Sequence, residues 1–581
     1  MADLGLVVAS CVLGFVSHLF FRRYEPHSAN IAVPILVTIP PALLILLHYA
    51  VSLGSILTVY VAFLSALSAS IVVYRLSPFH PLAAYPGPVL GKATQLWILG
   101  IATAAGHQYL YLKKLHDQYG PFVRIGPNEL SMIDAAAANQ ILGPGGLNKG
   151  RYFTAGRHAS TPPTIVSLIG DAHTSKRRVW NRGMTSPAIR EYNVFLVKRT
   201  QQLIERLQNQ TTSVDIVFWL DLFALDLMGD LSFGGGFESM KEGRDKDLIG
   251  SRIRGFMKYV FFFLKTPAKI TSLIPELLTS QPKFPGLYQH CIFCRKLANL
   301  FKNSMISDIN LPSIEPRMAH LLEQKICGTI LYADEAGLEK ERPTLESSAA
   351  DGIVAIIAAS DTTVSAIACC IWLMITHPGV YQKVQTELDQ VFPDANNLDG
   401  IYDPEHQELE YLSACIQETL RLHPPLPSNG GPRQAQEGDR EISGRVIPAG
   451  TSVYTPTYAL HHRPDYFSDP DKFIPERWLS SNAEPKDLEK QTPFNAHETS
   501  AFMPFSLGPA NCVGQRFAKR EMLHVLSMLL CTFDFKFDKG SREVETIHWT
   551  DSIKEFFVAT RGPMKVQLTR RSAVQVSLAV A

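Results

Sequence analysis

The most constraining feature of the chain is the segment 505–514, which places Cys512 between two glycines and directly before a helical pattern. Gly508 and Gly514 let the backbone turn and approach a neighbouring group without a Cβ in the way. The helix that follows, predicted to begin near Gln515, directs free N–H groups at the sulfur and favours its thiolate form. A lone cysteine between glycines is usually structural, but Phe505 and the proline at their offsets favour a thiolate presented to a metal whose macrocycle comes very close.

The overall charge and the cysteine pattern exclude two classes of protein. A formal net charge of +1 argues against nucleic acid as a partner, since nucleic-acid binding usually needs a strongly basic face. Nine cysteines are an odd number without the spacing of a disulfide framework. This pattern indicates a reduced protein that faces the cytosol.

Three apolar runs open the chain, and each has roughly the twenty residues that span a bilayer core. They cover about residues 3–21, 31–50 and 52–74. The cations that flank them are Arg22, Arg23 and Arg75, so the positive-inside rule places both cation-bearing ends in the cytosol. Three crossings then put the N-terminus in the lumen. The alternative is one anchor with two buried or interfacial helices, because three prolines make the second run the least secure span.

The sequence predicts a membrane anchor over residues 1–75 and a cytosolic domain over residues 76–581. A proline-punctuated hinge joins the two. In the domain we expect a helix near 95–118, strands near 122–125 and 129–133, further helices to about 424, strand-like pieces within 440–453 and a last helix over 515–532. The predicted fold class is therefore mainly α with small β-sheets, preceded by N-terminal transmembrane helices.

Two polar patterns interrupt otherwise apolar helices. Glu418 and Arg421 lie at i and i+3 and therefore face the same way, and Arg477 follows in a Phe-Ile-Pro-Glu-Arg-Trp segment. Asp361 and Thr362 fall inside a long apolar helix predicted over about 349–375. A polar kink, with the hydroxyls bonded back to the preceding turn, is the alternative to a functional role for that pair.

The cysteine segment closely resembles the haem-binding signature of the cytochrome P450 family of haem-thiolate monooxygenases. The resemblance extends from about Tyr74 to near Thr569, with each signature in family order. The sequences of residues 74–88 and 123–130 are similar to those of fungal microsomal members. The resemblance implies haem b as the cofactor, with its iron held by the thiolate of Cys512.

The resemblance also implies roles for the other singled-out residues. Phe505, Gly508 and Gly514 would shape the loop around the haem ligand. His173 and Arg177, at i and i+4, would bind a haem propionate, although a solvated basic helix is the alternative. Asp361 and Thr362 would deliver protons to activated oxygen. A buried triad that locks the core beneath the haem would consist of Glu418, Arg421 and Arg477.

The chain departs from the family pattern at two alanines. Ala359 stands where the family mostly has a glycine that is linked to local widening of the helix. Ala510 stands where the family usually has an arginine or histidine bonded to a haem propionate. We therefore expect the propionate to find cations elsewhere and haem to be retained less tightly.

The implied activity is hydroxylation or other oxidation of a lipophilic small molecule. The resemblance favours a terpenoid, polyketide or aromatic of fungal secondary metabolism. No flavin or nicotinamide fingerprint occurs, so electrons would come from NADPH-cytochrome P450 reductase, with cytochrome b5 as a further candidate donor. The implied location is the endoplasmic reticulum membrane, with the catalytic domain facing the cytosol. Basic residues that could dock the donor are Lys176, Arg178, Arg182, Lys519 and Arg520.

Two other functions remain open from the sequence. The same haem site could use peroxide directly or isomerise a substrate, although the Asp361-Thr362 pair argues against this. The chain could also be a non-catalytic haem-binding or lipid-binding membrane protein, with Ala359 and Ala510 as signs of decay.

Overall fold

Helices make up most of the residues that the structure describes, as the sequence predicts. The computed structural model describes residues 4–571 except for 25–28, 155–161, 211–212, 234–236, 246–249, 251–254, 256–344, 393–408, 437, 480–495, 539 and 543–545. Its helices are α1 (Leu4–Tyr24), α2 (Ala29–Leu46), α3 (Leu53–Leu76), α4 (Val89–Ala93), α5 (Leu96–Ala105), α6 (Gln108–Tyr119), α7 (Ala135–Leu142), α8 (Gly170–Gly183), α9 (Ser186–Gln208), α10 (Ile216–Phe233), α11 (Ser239–Glu242), α12 (Leu345–Thr376), α13 (Pro378–Val391), α14 (Glu410–Leu422), α15 (Thr457–His461) and α16 (Gln515–Thr532).

The strands form small sheets beside the helices. They are β1 (Phe122–Gly126), β2 (Glu129–Met132), β3 (Asn148–Lys149), β4 (Val214–Asp215), β5 (Arg433–Gln434), β6 (Arg440–Ile442), β7 (Arg445–Ile447), β8 (Ser452–Tyr454), β9 (Phe533–Phe537), β10 (Lys554–Phe556), β11 (Val558–Thr560) and β12 (Lys565–Arg570). The largest sheet has the order β1-β2-β8-β5-β3, and only its β2–β8 pair is parallel. A second sheet has the order β4-β12-β9, and β6–β7 and β10–β11 are separate pairs. The predicted class, mainly α with small β-sheets, is confirmed.

The N-terminal helices α1 and α3 lie parallel and in close contact. A Cβ on Gly14 would lie 2.6 Å from the carbonyl oxygen of Phe63, and farther along Nδ1 of His18 lies 2.7 Å from Oγ of Ser70. Both helices are long and apolar enough to cross a membrane. Because they run in the same direction, the chain returns between them along α2, where the Tyr60 hydroxyl of α3 donates to the Val37 carbonyl at 2.5 Å.

Helix α12 is the central element of the helical region that follows α3. It packs against α10, α14 and α16, and these helices share one apolar core. The segment Ala350–Thr376 is also long and apolar enough to span a membrane, but 67% of its most apolar window is buried inside the protein, so it is a core helix. Helix α16 begins at Gln515, directly after the cysteine loop, as the sequence predicts.

Candidate haem site

The cysteine loop is a closed turn that ends at the N-terminus of α16. A short 3₁₀ turn covers Gly508–Ala510, and the Cys512 N–H closes the loop by donating to the Phe505 carbonyl at 2.9 Å. The N–H of Gly514 donates to the Cys512 sulfur. The sulfur thus lies where the first N–H groups of a helix favour negative charge.

Glycine occupies positions 508 and 514 of the loop for two different structural reasons. Gly508 adopts a positive φ of +70°, and a Cβ there would lie 2.0 Å from the Leu142 carbonyl oxygen at the end of α7. Only glycine fits so close to that backbone. Gly514 has φ −85°, and a Cβ there would meet no protein atom within 4 Å. The protein alone therefore requires glycine at 508, whereas the open space at 514 suits the close approach of a large planar group to the sulfur.

Opposing effects act on the thiol of Cys512, and on balance its pKa is raised. Burial raises the pKa most, whereas the Gly514 N–H and the Arg177 guanidinium lower it. The residue nevertheless keeps accessible surface, unlike the buried Cys415 and Cys531. A bound metal would favour the thiolate, since cysteine binds metals in its deprotonated form.

Arg177 of helix α8 reaches the cysteine loop directly. Its guanidinium donates to the Asn511 carbonyl at 2.5 Å and to the Asn511 side-chain oxygen at 2.6 Å. A third bond, to the Asn181 side chain at 2.9 Å, orients the group. The sequence predicts Arg177 as part of the site, and the structure brings it there.

Further cations gather around Arg177. His173 is buried, and burial followed by Lys149, Arg177 and Arg433 lowers its pKa to about 4. Burial, followed by Arg433 and Arg177, lowers the pKa of Lys149 to about 7. Burial alone lowers the pKa of Arg433 to about 10. Within the described residues, no carboxylate pairs with Lys149, Arg177 or Arg433. This donor set fits an anionic group with carboxylates, such as the propionates of a haem.

Lys149 and Arg433 are site residues that sequence reasoning missed. They lie on the very short strands β3 and β5, which pair so that the two residues are directly opposite each other. Like charges in that position repel each other unless an anion lies between them. Neither strand carries a motif, so only the pairing of β3 with β5 reveals these two residues.

The acid–threonine turn of α12 has both threonine hydroxyls bonded back to the preceding turn. Thr362 donates to the Ala358 carbonyl and Thr363 to the Ala359 carbonyl, each at 2.7 Å. These are the bonds that the polar-kink alternative predicts, and such bonds bend helices. Ala358 is exposed and Thr362 half-buried in the middle of a core helix, whereas Asp361 is buried. Thus Ala358 and Thr362 border accessible space, and the Thr362 hydroxyl oxygen can still accept a proton or a hydrogen bond there.

A buried arginine holds the same turn from outside the helix. Arg561, which follows β11, donates to the backbone carbonyl of Asp361 at 3.1 Å. It also pairs with Asp221 of α10 at 2.5 Å. The turn is therefore tied to α10. The sequence gives no signal for Arg561, because it lies in a loop far along the chain.

A buried glutamate connects the acid–threonine turn to the helix that follows the cysteine loop. The Thr363 hydroxyl lies 3.2 Å from Oε1 of Glu521 on α16. Burial raises the pKa of Glu521 to about 8, and the contact with Thr363 opposes that shift. The acid–threonine turn of α12 is therefore in direct contact with α16, the helix that begins at the end of the cysteine loop.

The predicted Glu418–Arg421–Arg477 triad is assembled and fully buried. Arg421 donates to both Glu418 carboxylate oxygens, at 2.8 and 3.0 Å, and Arg477 donates to Oε1 at 3.0 Å. The Trp478 indole adds a fourth bond to Glu418 at 2.8 Å. Arg421 also binds three backbone carbonyls of residues 461–472, so the triad fixes the segment that leads to the cysteine loop.

A basic groove of about 530 Å³ opens beside α16. Its cations are Arg190, Arg516, Lys519 and Arg520, and its floor includes Ile416, Leu420 and Phe502. Two of the sequence-predicted docking residues, Lys519 and Arg520, are among them. Lys176 does not line the groove and instead pairs with Asp351 of α12 at 2.5 Å. Its role in docking a partner stays a prediction.

The comparisons with known proteins agree with this arrangement. The family model for cytochrome P450 matches residues 87–566. The chain is 28% identical to tryprostatin B 6-hydroxylase of Aspergillus fumigatus over 98% of this chain and 97% of the relative. It is 29% identical to the cytochrome P450 monooxygenase orf5 of Eupenicillium brefeldianum, over 87% and 95% of the two chains, respectively. It is 28% identical to trichothecene C-15 hydroxylase of Fusarium sporotrichioides, over 86% and 95%. The protein belongs to the cytochrome P450 family and is a monooxygenase of that family.

Proposed function

We propose that this protein is a membrane-anchored haem-thiolate monooxygenase that oxidises a lipophilic small molecule with electrons from an NADPH-dependent reductase. The observation that carries the proposal is the position of Cys512. It lies at the N-terminus of α16, with accessible sulfur and with Arg177 bonded to its own loop. The relatives include two hydroxylases, which favours hydroxylation as the reaction.

Cys512 is the iron ligand in this proposal, and the cations beside it bind the propionates. Haem with a thiolate ligand supplies reductive activation of O₂ and transfer of one oxygen atom to a C–H bond. Lys149, Arg177 and Arg433 provide the positive charge that Ala510 does not, and His173, which its lowered pKa keeps neutral, can donate a hydrogen bond. The buried triad of Glu418, Arg421 and Arg477 keeps the loop in place.

Thr362 and Asp361 deliver protons in the proposed reaction. The Thr362 hydroxyl borders accessible space next to Ala358, so it can bond a ligand there while donating back to its own helix. Asp361 follows Ser360 on the buried side of the same turn, and Arg561 holds its backbone. General acid catalysis of this kind contributes about 10²- to 10⁴-fold to a rate.

The electron donor is proposed to dock at the basic groove beside α16. Arg190, Arg516 and Lys519 are exposed there, and the helix leads directly from the groove to the cysteine loop. An acidic flavoprotein surface complements this charge, and electrostatic attraction raises the rate of encounter.

The membrane anchor is proposed to comprise residues 1–75, with the catalytic domain of residues 76–581 on the cytosolic side of the endoplasmic reticulum. The parallel arrangement of α1 and α3 supports three crossings, because α2 must return between them. A domain held at a bilayer meets substrates that dissolve in lipid, which supports a lipophilic substrate of fungal secondary metabolism.

Turnover with a defined reductase tests the proposal against its rivals. The full-length protein is reconstituted with a fungal NADPH-cytochrome P450 reductase and screened with lipophilic substrates. NADPH-dependent product supports the monooxygenase. Product that needs only peroxide, or no oxidant, would favour the peroxide-using or isomerising enzyme. Haem binding without substrate-stimulated NADPH consumption would favour the non-catalytic haem or lipid binder.

A further inference from the structure

Four cations gather where the anchor meets the cytosolic domain. Arg22 lies in the last turn of α1 and Arg75 in the last turn of α3, whereas Lys92 lies in α4 and Arg124 in β1. These four residues are called the junction cluster here. They come from four segments of the chain, so their proximity is a product of the fold.

Direct contacts hold these segments together. Arg75 donates to the Ala93 carbonyl next to Lys92 at 2.8 Å. The Arg22 guanidinium lies 4.1 Å from the ring centre of Tyr74, the residue before Arg75. Helix α4 packs so tightly on β1 that a Cβ on Gly91 would lie 2.8 Å from the Ile125 carbonyl oxygen.

The cluster lacks a matching anion in the part of the chain that the structure describes. Arg124 is only 1% exposed, and its guanidinium donates to a backbone carbonyl, that of Pro127, at 2.9 and 3.2 Å. No described carboxylate forms an ion pair with Arg22, Arg75, Lys92 or Arg124. Burial of a charge without a counter-charge is costly.

The neighbouring ionisable groups respond to this positive charge. Burial, followed by Arg75, lowers the pKa of Arg124 to about 10. Burial, followed by Arg124, lowers the pKa of Lys92. His80, which is buried nearby, has its pKa lowered to about 4, first by burial and then by Arg124. The site therefore favours a bound anion.

Exposed apolar side chains surround the cluster. Phe79 is 87% exposed, and Leu76, Val89 and Leu90 are exposed as well. They continue the apolar surface of α3 past its last turn. A surface with buried cations and exposed apolar residues at the end of a spanning helix matches the headgroup region of a bilayer, where both kinds of group are satisfied.

We propose that Arg22, Arg75 and Lys92 of the junction cluster bind the phosphate of an anionic phospholipid headgroup at the cytosolic face. The buried Arg124 adds positive charge behind them, and Leu76, Phe79, Val89 and Leu90 lie against the acyl chains. The inference rests on the proposed membrane anchor. The lipid supplies the counter-charge for Arg124 and fixes the orientation of the catalytic domain on the membrane.

The lipids that the full-length, haem-loaded protein retains test the proposed phospholipid site at the junction cluster. The protein is placed in nanodiscs of phosphatidylcholine mixed with phosphatidylserine, purified in mild detergent, and its retained lipids are counted by mass spectrometry. We expect phosphatidylserine to be enriched about fivefold or more over its share in the disc, less so at high salt. The variant Arg22→Gln/Lys92→Gln, which alters no buried side chain, should lose the enrichment, as should Arg124→Gln.

The matched control is Lys536→Gln/Arg570→Gln, which removes two exposed cations from the β4-β12-β9 sheet and should keep the enrichment. Equal enrichment in the junction variants and the wild type would overturn the proposal. Inorganic phosphate is also titrated into protein in pure phosphatidylcholine discs. If phosphate raises Tm while phosphatidylserine is not enriched, the ligand is free phosphate and the lipid assignment is wrong.

Alkaline carbonate extraction separates this inference from the proposed anchor. A chain that is released from membranes would contradict the anchor itself. A chain that stays in the membrane pellet but shows no phosphatidylserine enrichment would contradict the lipid site alone.

Discussion

Lys149 and Arg433 face each other across the β3–β5 pair, beside Arg177 and the cysteine loop. Arg433 is buried and Lys149 is half-buried, so their like charges repel each other unless an anion lies between them. Together with Arg177, the pair supplies positive charge beside the cysteine loop, where Ala510 carries none.

Loss of Arg433 should therefore weaken haem retention. A charge-assisted bond is worth about 1.5–3 kcal/mol, so Arg433→Gln should release haem roughly ten- to a hundredfold faster. The measurement is transfer of haem to an excess of apomyoglobin. Arg440→Gln, on the exposed strand β6, is the control and should leave the rate unchanged. Equal rates for Arg433→Gln and the wild type would show that Arg433 does not bind the cofactor.

The Thr362 hydroxyl should determine how well NADPH consumption is coupled to product. Thr362→Ala removes the hydroxyl that is proposed to relay protons, so product per NADPH should fall about tenfold or more while hydrogen peroxide rises. The carbon-monoxide difference spectrum should not change. Thr376→Ala is a matched control, because Thr376 makes the same back-bond, to the Trp372 carbonyl at 2.9 Å, at the end of the same helix. Unchanged product per NADPH in Thr362→Ala would mean that the assignment is wrong.

Glu521 should make the protein less stable as pH rises. Its folded pKa, about 8, lies above its usual value of 4.5, so the folded state keeps a proton that the unfolded chain releases. The cost is absent below pH 4.5, grows from there to about pH 8 and is then constant. Glu521→Gln should thus raise Tm relative to the wild type, by an amount that increases over this range and corresponds to a few kcal/mol, in order of magnitude, at pH 8.

Thermal unfolding in detergent from pH 5 to pH 8 measures this difference. The control is Glu441→Gln on strand β6, where the side chain is exposed and the difference from wild type should be flat with pH. If the difference in Tm between Glu521→Gln and the wild type also does not change with pH, Glu521 is ionised in the folded protein over the whole range.

The triad should be critical to stability. Glu418→Gln leaves Arg421 and Arg477 buried without their carboxylate, which typically costs about 3–5 kcal/mol. Tm should fall sharply, and haem should be lost as the protein unfolds. Asp117→Asn, which breaks the exposed Lys113–Asp117 pair on α6, should cost under about 1 kcal/mol. Similar losses of Tm in the two variants would contradict a structural role for the triad.

Local patterns made much of this protein predictable. The start of α16 at Gln515, the strands near 122 and 129 and the meeting of Glu418 with Arg421 follow from caps, alternation and helical spacing over short stretches. The meeting of Arg177 with the cysteine loop follows from the family resemblance. Lys149, Arg433 and Arg561 were not predictable, because each reaches the site from a two-residue strand or a loop that only the tertiary fold places there. The pairing of Lys176 with Asp351 was not predictable either, because it joins two helices that are far apart in sequence.

The central claim is that Cys512 is the thiolate ligand of haem iron, and the carbon-monoxide difference spectrum of the reduced protein tests it most directly. Wild type, Cys512→Ala and the control Cys531→Ala, which alters a buried cysteine of α16, are compared in the same membranes. We expect the red-shifted Soret band of thiolate-ligated haem in wild type and control, and its complete loss in Cys512→Ala. A red-shifted band that persists in Cys512→Ala, or haem bound to a folded wild type without that shift, would contradict the claim.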